Sequence, residues 1–172
     1  MDDLVQKVIE KLKKRQASNK ILFFNELPSP PDKQVFIDYG CVILKNVSVQ
    51  LIKDLYSLKR DSAWTSWILS GLNYDVQFYI QVNEQIVNFI PRTMVLDWPI
   101  NFIVGRNSLI VANYNKIISR GEIAALPDNA LLIKTASQTL TDEGLEICNK
   151  KNIKIKIRTD ENCIWPVSYT HL

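Results

Sequence analysis

Between Cys41 and Val82 the sequence runs strand, helix, helix, strand, and between Ala130 and Arg158 it runs strand, helix, strand. Strands joined through helices are crossover units, because a connection between parallel strands must travel back over the sheet. The alternation excludes all-α and all-β folds. It predicts an α/β domain with a mostly parallel sheet and flanking helices, preceded by an N-terminal amphipathic helix. Gln34 to Asp38 and Cys41 to Lys45 are short β-rich runs broken by Gly40. Ser48 is placed to cap a helix carrying Leu51, Ile52, Leu55, Tyr56 and Leu58 at helical spacing. Asp61 or Ser62 opens a second helix, which presents Trp64, Trp67, Ile68 and Leu72 to a core and ends near Gly71 to Asn73. Asp75 to Val82 alternates as a strand, with Val76, Phe78, Ile80 and Val82 on one face.

Further on, Leu109 to Ala112 reads as a buried strand, Tyr114 to Arg120 as a short helix stopped by Gly121, and Ala130 to Lys134 as another strand. Thr141 caps a helix with Asp142 and Glu143 in its first turn and Lys150 and Lys151 in its last, charges that complement the helix dipole. Ile153 to Arg158 alternates strictly, which predicts a strand with one apolar and one basic face. Asn83 to Asn107 reads as mixed strand and loop, with room for an antiparallel strand.

At the N-terminus, Leu4, Val5, Val8, Ile9 and Leu12 fall on one stripe of a helix, with Lys7, Lys11 and Lys14 opposite. A helix this short is marginal alone in water, so the stripe must be buried against its own domain or against another protein. Residues 1–20 read as this helix and a polar linker, 21–33 as a Pro-rich connector, 34–158 as the α/β domain and 159–172 as an unstructured tail. The tail ends Val-Ser-Tyr-Thr-His-Leu, which reads as a cloning scar whose removal is harmless.

The chain of 172 residues holds 21 Lys and Arg against 18 Asp and Glu. Six of the bases (Lys7, Lys11, Lys13, Lys14, Arg15, Lys20) and three acids lie in the first 20 residues, so the body is neutral. A nucleic-acid partner is not expected, because phosphate neutralisation needs a basic surplus on the folded surface. No membrane partner is expected either: the apolar stretch Trp98 to Val104 falls far short of the roughly 20 residues needed to span a bilayer. Three widely spaced cysteines, with Asp2 and Asp3 where a signal peptide carries positive charge, predict a reducing cytosol.

The reactive inventory is poor. The one histidine is His171, beside the C-terminal residue, so Ser-His-Asp and Cys-His arrangements are not supported. Five separated glycines (Gly40, Gly71, Gly105, Gly121, Gly144) form no phosphate-cradling turn. Cys41 and Cys148 read as core, and no second ligand stands at zinc spacing from either. Trp64 and Trp67 suit core packing, although they are also placed to stack a flat ligand such as a flavin. Lys154, Lys156 and Arg158 read as a solvated strand face. The expectation is a chain with no catalytic residues, no metal and no cofactor.

The segments MDDLVQKVIEKLKKR, VILKNVSVQLIKDLYSLKRDSAWTSWILSGLNYDVQFYI and LPDNALLIKTASQTLTDEGLEICNKKNIKIKIR together resemble the PduM family of propanediol-utilisation bacterial microcompartments, over roughly residues 1–158. The resemblance implies a non-enzymatic component needed for assembly of the protein-shelled organelle that degrades 1,2-propanediol, located in that organelle in the cytoplasm. It implies partners among shell or cargo proteins, reached through an amphipathic terminal helix. Leu4, Val5, Val8, Ile9 and Leu12 are the candidate partner-binding residues. Residues 41–82 also have a looser likeness to flavoprotein-like α/β domains. The alternative reading is therefore a flavin- or nucleotide-binding domain, although no Gly- or Ser-rich phosphate turn follows a strand.

Overall fold

The computed structural model describes residues 2–158. The fold is α/β with predominantly parallel strand pairing and flanking helices, and it begins with an amphipathic helix. By internal contacts the described residues form two compact units, residues 2–81 with 99–101, and residues 82–98 with 102–158.

The first unit opens with α1 (Asp2–Ala17) and passes through a single residue into β1 (Asn19–Phe23). Then follow a 3-10 turn (Phe24–Glu26), α2 (Gln34–Asp38), β2 (Cys41–Lys45), α3 (Val49–Tyr56), α4 (Ala63–Leu72) and β3 (Gln77–Val82). β2 pairs in parallel with β1 on one side, Cys41 opposite Asn19, and with β3 on the other, Cys41 opposite Gln77. The helix starts are set locally. Ser48 Oγ accepts the Leu51 N–H at 3.2 Å, and Ser62 Oγ accepts the Thr65 N–H at 3.3 Å. Side chains of Val42, Leu44, Ile52, Leu55, Ile68, Phe78 and Ile80 are completely buried between helices and strands. An aromatic cluster closes one end of this core: Phe36 lies 4.6 Å from Trp67 and 6.4 Å from Phe78, centroid to centroid, and Trp64 meets Trp67 edge-on at 5.7 Å.

Two expectations fail in this unit. Residues 19–23, read as the end of a linker and the start of a connector, form β1, of which only Leu22 is buried. Gln34 to Asp38 is helical although Val35, Phe36 and Ile37 favour strand. The Asp32 carboxylate accepts the Gln34 N–H at 3.3 Å, the Lys33 carbonyl accepts the Phe36 N–H at 2.9 Å, and the resulting turn drives Phe36 into the aromatic cluster. Burial of one large ring outweighs a weak intrinsic preference.

The second unit contains a 3-10 turn (Ile86–Phe89), α5 (Arg92–Asp97), β4 (Ile100–Val104), β5 (Ser108–Ala112), β6 (Ile117–Ile118), α6 (Arg120–Ala124), β7 (Leu131–Thr135), β8 (Thr139–Leu140), α7 (Asp142–Lys150) and β9 (Lys154–Arg158). β4 is the antiparallel strand for which the unreadable stretch left room. It turns into β5 through Gly105, whose φ of +64° is the left-handed geometry glycine adopts without cost. β5, β7 and β9 run parallel, and the two-residue strands β6 and β8 form a separate parallel pair. Ile118, Ile123, Ala130, Leu132, Cys148 and Ile153 form this unit's buried cluster.

Here the sequence misleads in three places. Only Ile110 of the strand expected to be buried is fully covered. Where a helix was expected to stop at Gly121, one instead begins at Arg120 and runs through the glycine: Ser119 is the N-cap of α6, and Tyr114 to Lys116 are not helical. The alternation of β9 breaks at its end, with Ile157 60% exposed and Arg158 only 5% exposed, its guanidinium donating to the carbonyls of Ile90 and Asn88. Arg158 is thus not part of a solvated basic face. The predicted tail, 159–172, lies outside the described residues.

Glu122 fixes the start of α6. Its carboxylate accepts the Ser119 backbone N–H at 2.6 Å and is also bonded by the side-chain amides of Asn115 and Asn113, and these bonds lower its pKa from 4.5 to about 2. A carboxyl whose folded pKa is depressed contributes stability that is complete above its unfolded value and is lost as pH falls toward the folded one. Glu122→Gln is therefore expected to lower stability at pH 7 and to flatten the loss between pH 4.5 and about 2, measured by denaturant unfolding across that window. Parallel acid profiles for the two proteins would show that this network does not carry the linkage.

Candidate functional site

Among the described residues, the hydrogen bonds that tie α1 to the rest of its unit lie at its C-terminal end. Arg15 Nε donates to the Phe36 carbonyl at 2.9 Å, and Arg15 Nη2 donates to the Tyr74 carbonyl. The Gly40 N–H in turn donates to the Arg15 carbonyl at 2.8 Å. A Cβ on residue 40 would lie 2.9 Å from that carbonyl oxygen and 3.1 Å from the Gln16 Cα, so glycine is what lets the two backbones approach. Ser18 Oγ closes the helix by donating to the Lys14 carbonyl at 2.7 Å.

From residue 3 to residue 14 every side chain of α1 is exposed. The five candidate residues lie on one face, with Leu4 70%, Val5 56%, Val8 50%, Ile9 39% and Leu12 50% exposed. Their sequence pattern calls for burial, and their own unit leaves all five exposed. Monomeric proteins seldom leave such a contiguous apolar strip in water, and where it occurs it marks an interaction surface.

Sequence reasoning missed the body's contribution. A groove of about 720 Å³ runs beside the stripe, lined by Val8, Lys11, Leu12 and Lys14 of α1 and by Ile37 and Tyr74 of the body. Ile37 is 56% and Tyr74 45% exposed. Only the apolar residue Ile37 near an expected strand end signalled this wall, and the unpredicted helix α2 is what turns it outward.

The other residues with chemical possibilities are accounted for structurally. Trp64 and Trp67 are buried in the aromatic cluster and offer no ring face to a flat ligand. Cys148 is buried in the second unit's core, whereas Cys41 is half-buried rather than core, and burial raises both thiol pKa values. Lys154 is exposed and Lys156 half-buried, lining a small cavity with Glu84 and Arg106. His171 and Cys163 lie outside the described residues. Among the described residues no group of three His, Cys, Asp or Glu side chains is placed to hold a metal, and no helix is long and apolar enough to cross a membrane.

Residues 3–154 match the sequence model of the PDU-like family, described by propanediol utilisation. The chain belongs to this family. The propanediol-utilisation match starts in α1 and reaches β9, so the exposed helix lies inside the region that defines the family rather than outside it. No curated protein and no solved structure matches this propanediol-utilisation chain.

Proposed function

We propose that this protein is a PduM-type, non-enzymatic assembly component of the bacterial microcompartment for 1,2-propanediol degradation. In this reading it docks on shell or cargo proteins through Leu4, Val5, Val8, Ile9 and Leu12, and it works inside the cytoplasmic organelle. The observation that carries the reading is a family-region helix moored by its last turn, with every residue of its apolar stripe exposed. An amphipathic helix laid into an apolar groove is a common recognition mode. Removing five such side chains from water at about 25 cal/mol per Å² supplies several kcal/mol before the cost of association is subtracted. The mooring matters to that balance, since a preoriented helix loses less freedom on binding than a loose arm.

Co-purification with intact microcompartment shells tests the reading. The full chain is compared with a variant lacking residues 2–14, which keeps the Arg15 mooring. Association is expected for the full chain and lost for the variant, while far-ultraviolet circular dichroism shows the remainder still folded. Equal association of the two would move the contact off α1.

A further inference from the structure

The polar face of α1 comes up to the apolar stripe at Lys11, with Lys7 and Lys14 farther round, and this charge restricts what can lie in the groove. Lys7, Lys11 and Lys14 follow one another at steps of four and three, which places them in a line along one side of the helix. The groove beside the stripe opens on this side, with Lys11 and Lys14 in its lining. A second cavity of about 500 Å³ runs along the helix past Leu4, Lys7, Val8 and Glu10, so the lysine line borders both hollows, with Glu10 the one carboxylate against Lys7, Lys11 and Lys14 in this lining.

The neighbouring charges leave two of these lysines available. Lys7 pairs with Asp3 at 2.7 Å, and Arg15 is engaged by backbone carbonyls. Asp38, the acidic residue of the groove, accepts from the Gln34 amide at 3.2 Å. Among the described residues, neither Lys11 nor Lys14 has a carboxylate within ion-pair distance.

A second copy of the chain is a poor occupant. Antiparallel pairing of two α1 helices brings like edges together and sets Lys7, Lys11 and Lys14 against the same three residues. Parallel pairing sets them against the other edge, which carries Asp2, Gln6 and Lys13. In either arrangement the carboxylates of the second helix, Asp2, Asp3 and Glu10, are outnumbered by Lys7, Lys11, Lys13 and Lys14, and Asp3 is already paired with Lys7, so cation faces cation in surplus.

We infer that the groove between α1 and the body takes an amphipathic helix whose apolar stripe is edged by Asp or Glu, with Lys11 and Lys14 pairing with those carboxylates. The inference rests on the docking reading above and adds the chemistry of the partner. Apolar contact with Val8, Leu12, Ile37 and Tyr74 supplies affinity, while the lysine edge fixes register and rejects basic helices.

Two synthetic 18-residue helices test this, identical in their leucine stripe and edged by Glu in one and by Lys in the other. Binding to the full chain is followed by fluorescence anisotropy of the labelled peptide at low and at high salt. The Glu-edged peptide is expected to bind about 10-fold more tightly at low salt, with most of the preference lost near 0.5 M salt, where screening is short-ranged. Lys11→Glu combined with Lys14→Glu should reverse the preference; both positions are exposed, so the fold is not at risk. Equal binding of the two peptides, or a preference indifferent to the double substitution, overturns the inference and leaves the docking reading intact. Failure of both peptides to bind, while shell association still depends on residues 2–14, does the same. A clear Glu preference without shell association supports the groove chemistry and places the failure in the docking reading.

Discussion

Val8→Asp combined with Ile9→Asp abolishes recovery of the protein with microcompartment shells and leaves its melting temperature within about 2 °C of the parent. Both halves of this outcome follow from exposure. Val8 is 50% and Ile9 39% exposed, so in the free protein two carboxylates at these positions enter water rather than a core. In the docked state they would sit in the centre of an apolar contact. Burying a Val or Ile side chain is worth about 1.5–3 kcal/mol, and losing two weakens association on the order of a hundredfold or more. Co-purification and a thermal melt on the same preparation check the result. Undiminished association sinks the stripe as the contact, and a melting point lowered by about 10 °C would show that the stripe is packed within the free protein.

Phe36→Ala has the opposite profile, with a loss of about 3–5 kcal/mol in stability and a melting temperature lower by on the order of 10 °C. Phe36 is completely buried, and its ring touches Trp67, Tyr74 and Phe78 at centroid distances of 4.6, 5.7 and 6.4 Å. Little nearby can collapse into the space. On the far side Gly71 is already so close that a Cβ there would stand 2.6 Å from the Phe78 ring and 2.9 Å from Phe36. The same residue's carbonyl moors Arg15, so the truncation loosens the base of α1 as well as the core. Denaturant unfolding measures the first effect, and hydrogen exchange at residues 15–18 measures the second. A change under about 1 kcal/mol would mean that the aromatic cluster does not organise this unit.

What could be read from the sequence was what is decided within a few residues. Ser48, Ser62 and Thr141 each announce a helix because the capping bond spans three positions, and in the fold each accepts that bond. The strand at Val76 to Val82 was visible because its buried face repeats every second residue. β1 was not visible, since Asn19 to Phe23 buries a single side chain and becomes a strand only by pairing with residues 41–45. α2 was misread because its helical turn is decided by where Phe36 must go, which the local sequence does not contain. Gly121 deceived for a related reason: glycine ends helices often, yet here the bonds from Ser119, Asn113 and Asn115 to Glu122 fix a start. As for the site, the stripe on α1 was legible from spacing alone, whereas the groove wall at Ile37 and Tyr74 depends on tertiary placement.

The single residue between α1 and β1 gives the molecule a mechanical order. Any load placed on α1 is shared between the Arg15 and Gly40 bonds and the chain itself, which leads into β1, a five-residue strand whose one registered neighbour among the described residues is β2. Tension would therefore peel the sheet from that border, one rung at a time from Asn19 toward Phe23, before it reached β3. A protein tethered by this helix would yield at that margin, while the Arg15 bonds carry part of the load to Phe36 and Tyr74 of the aromatic cluster.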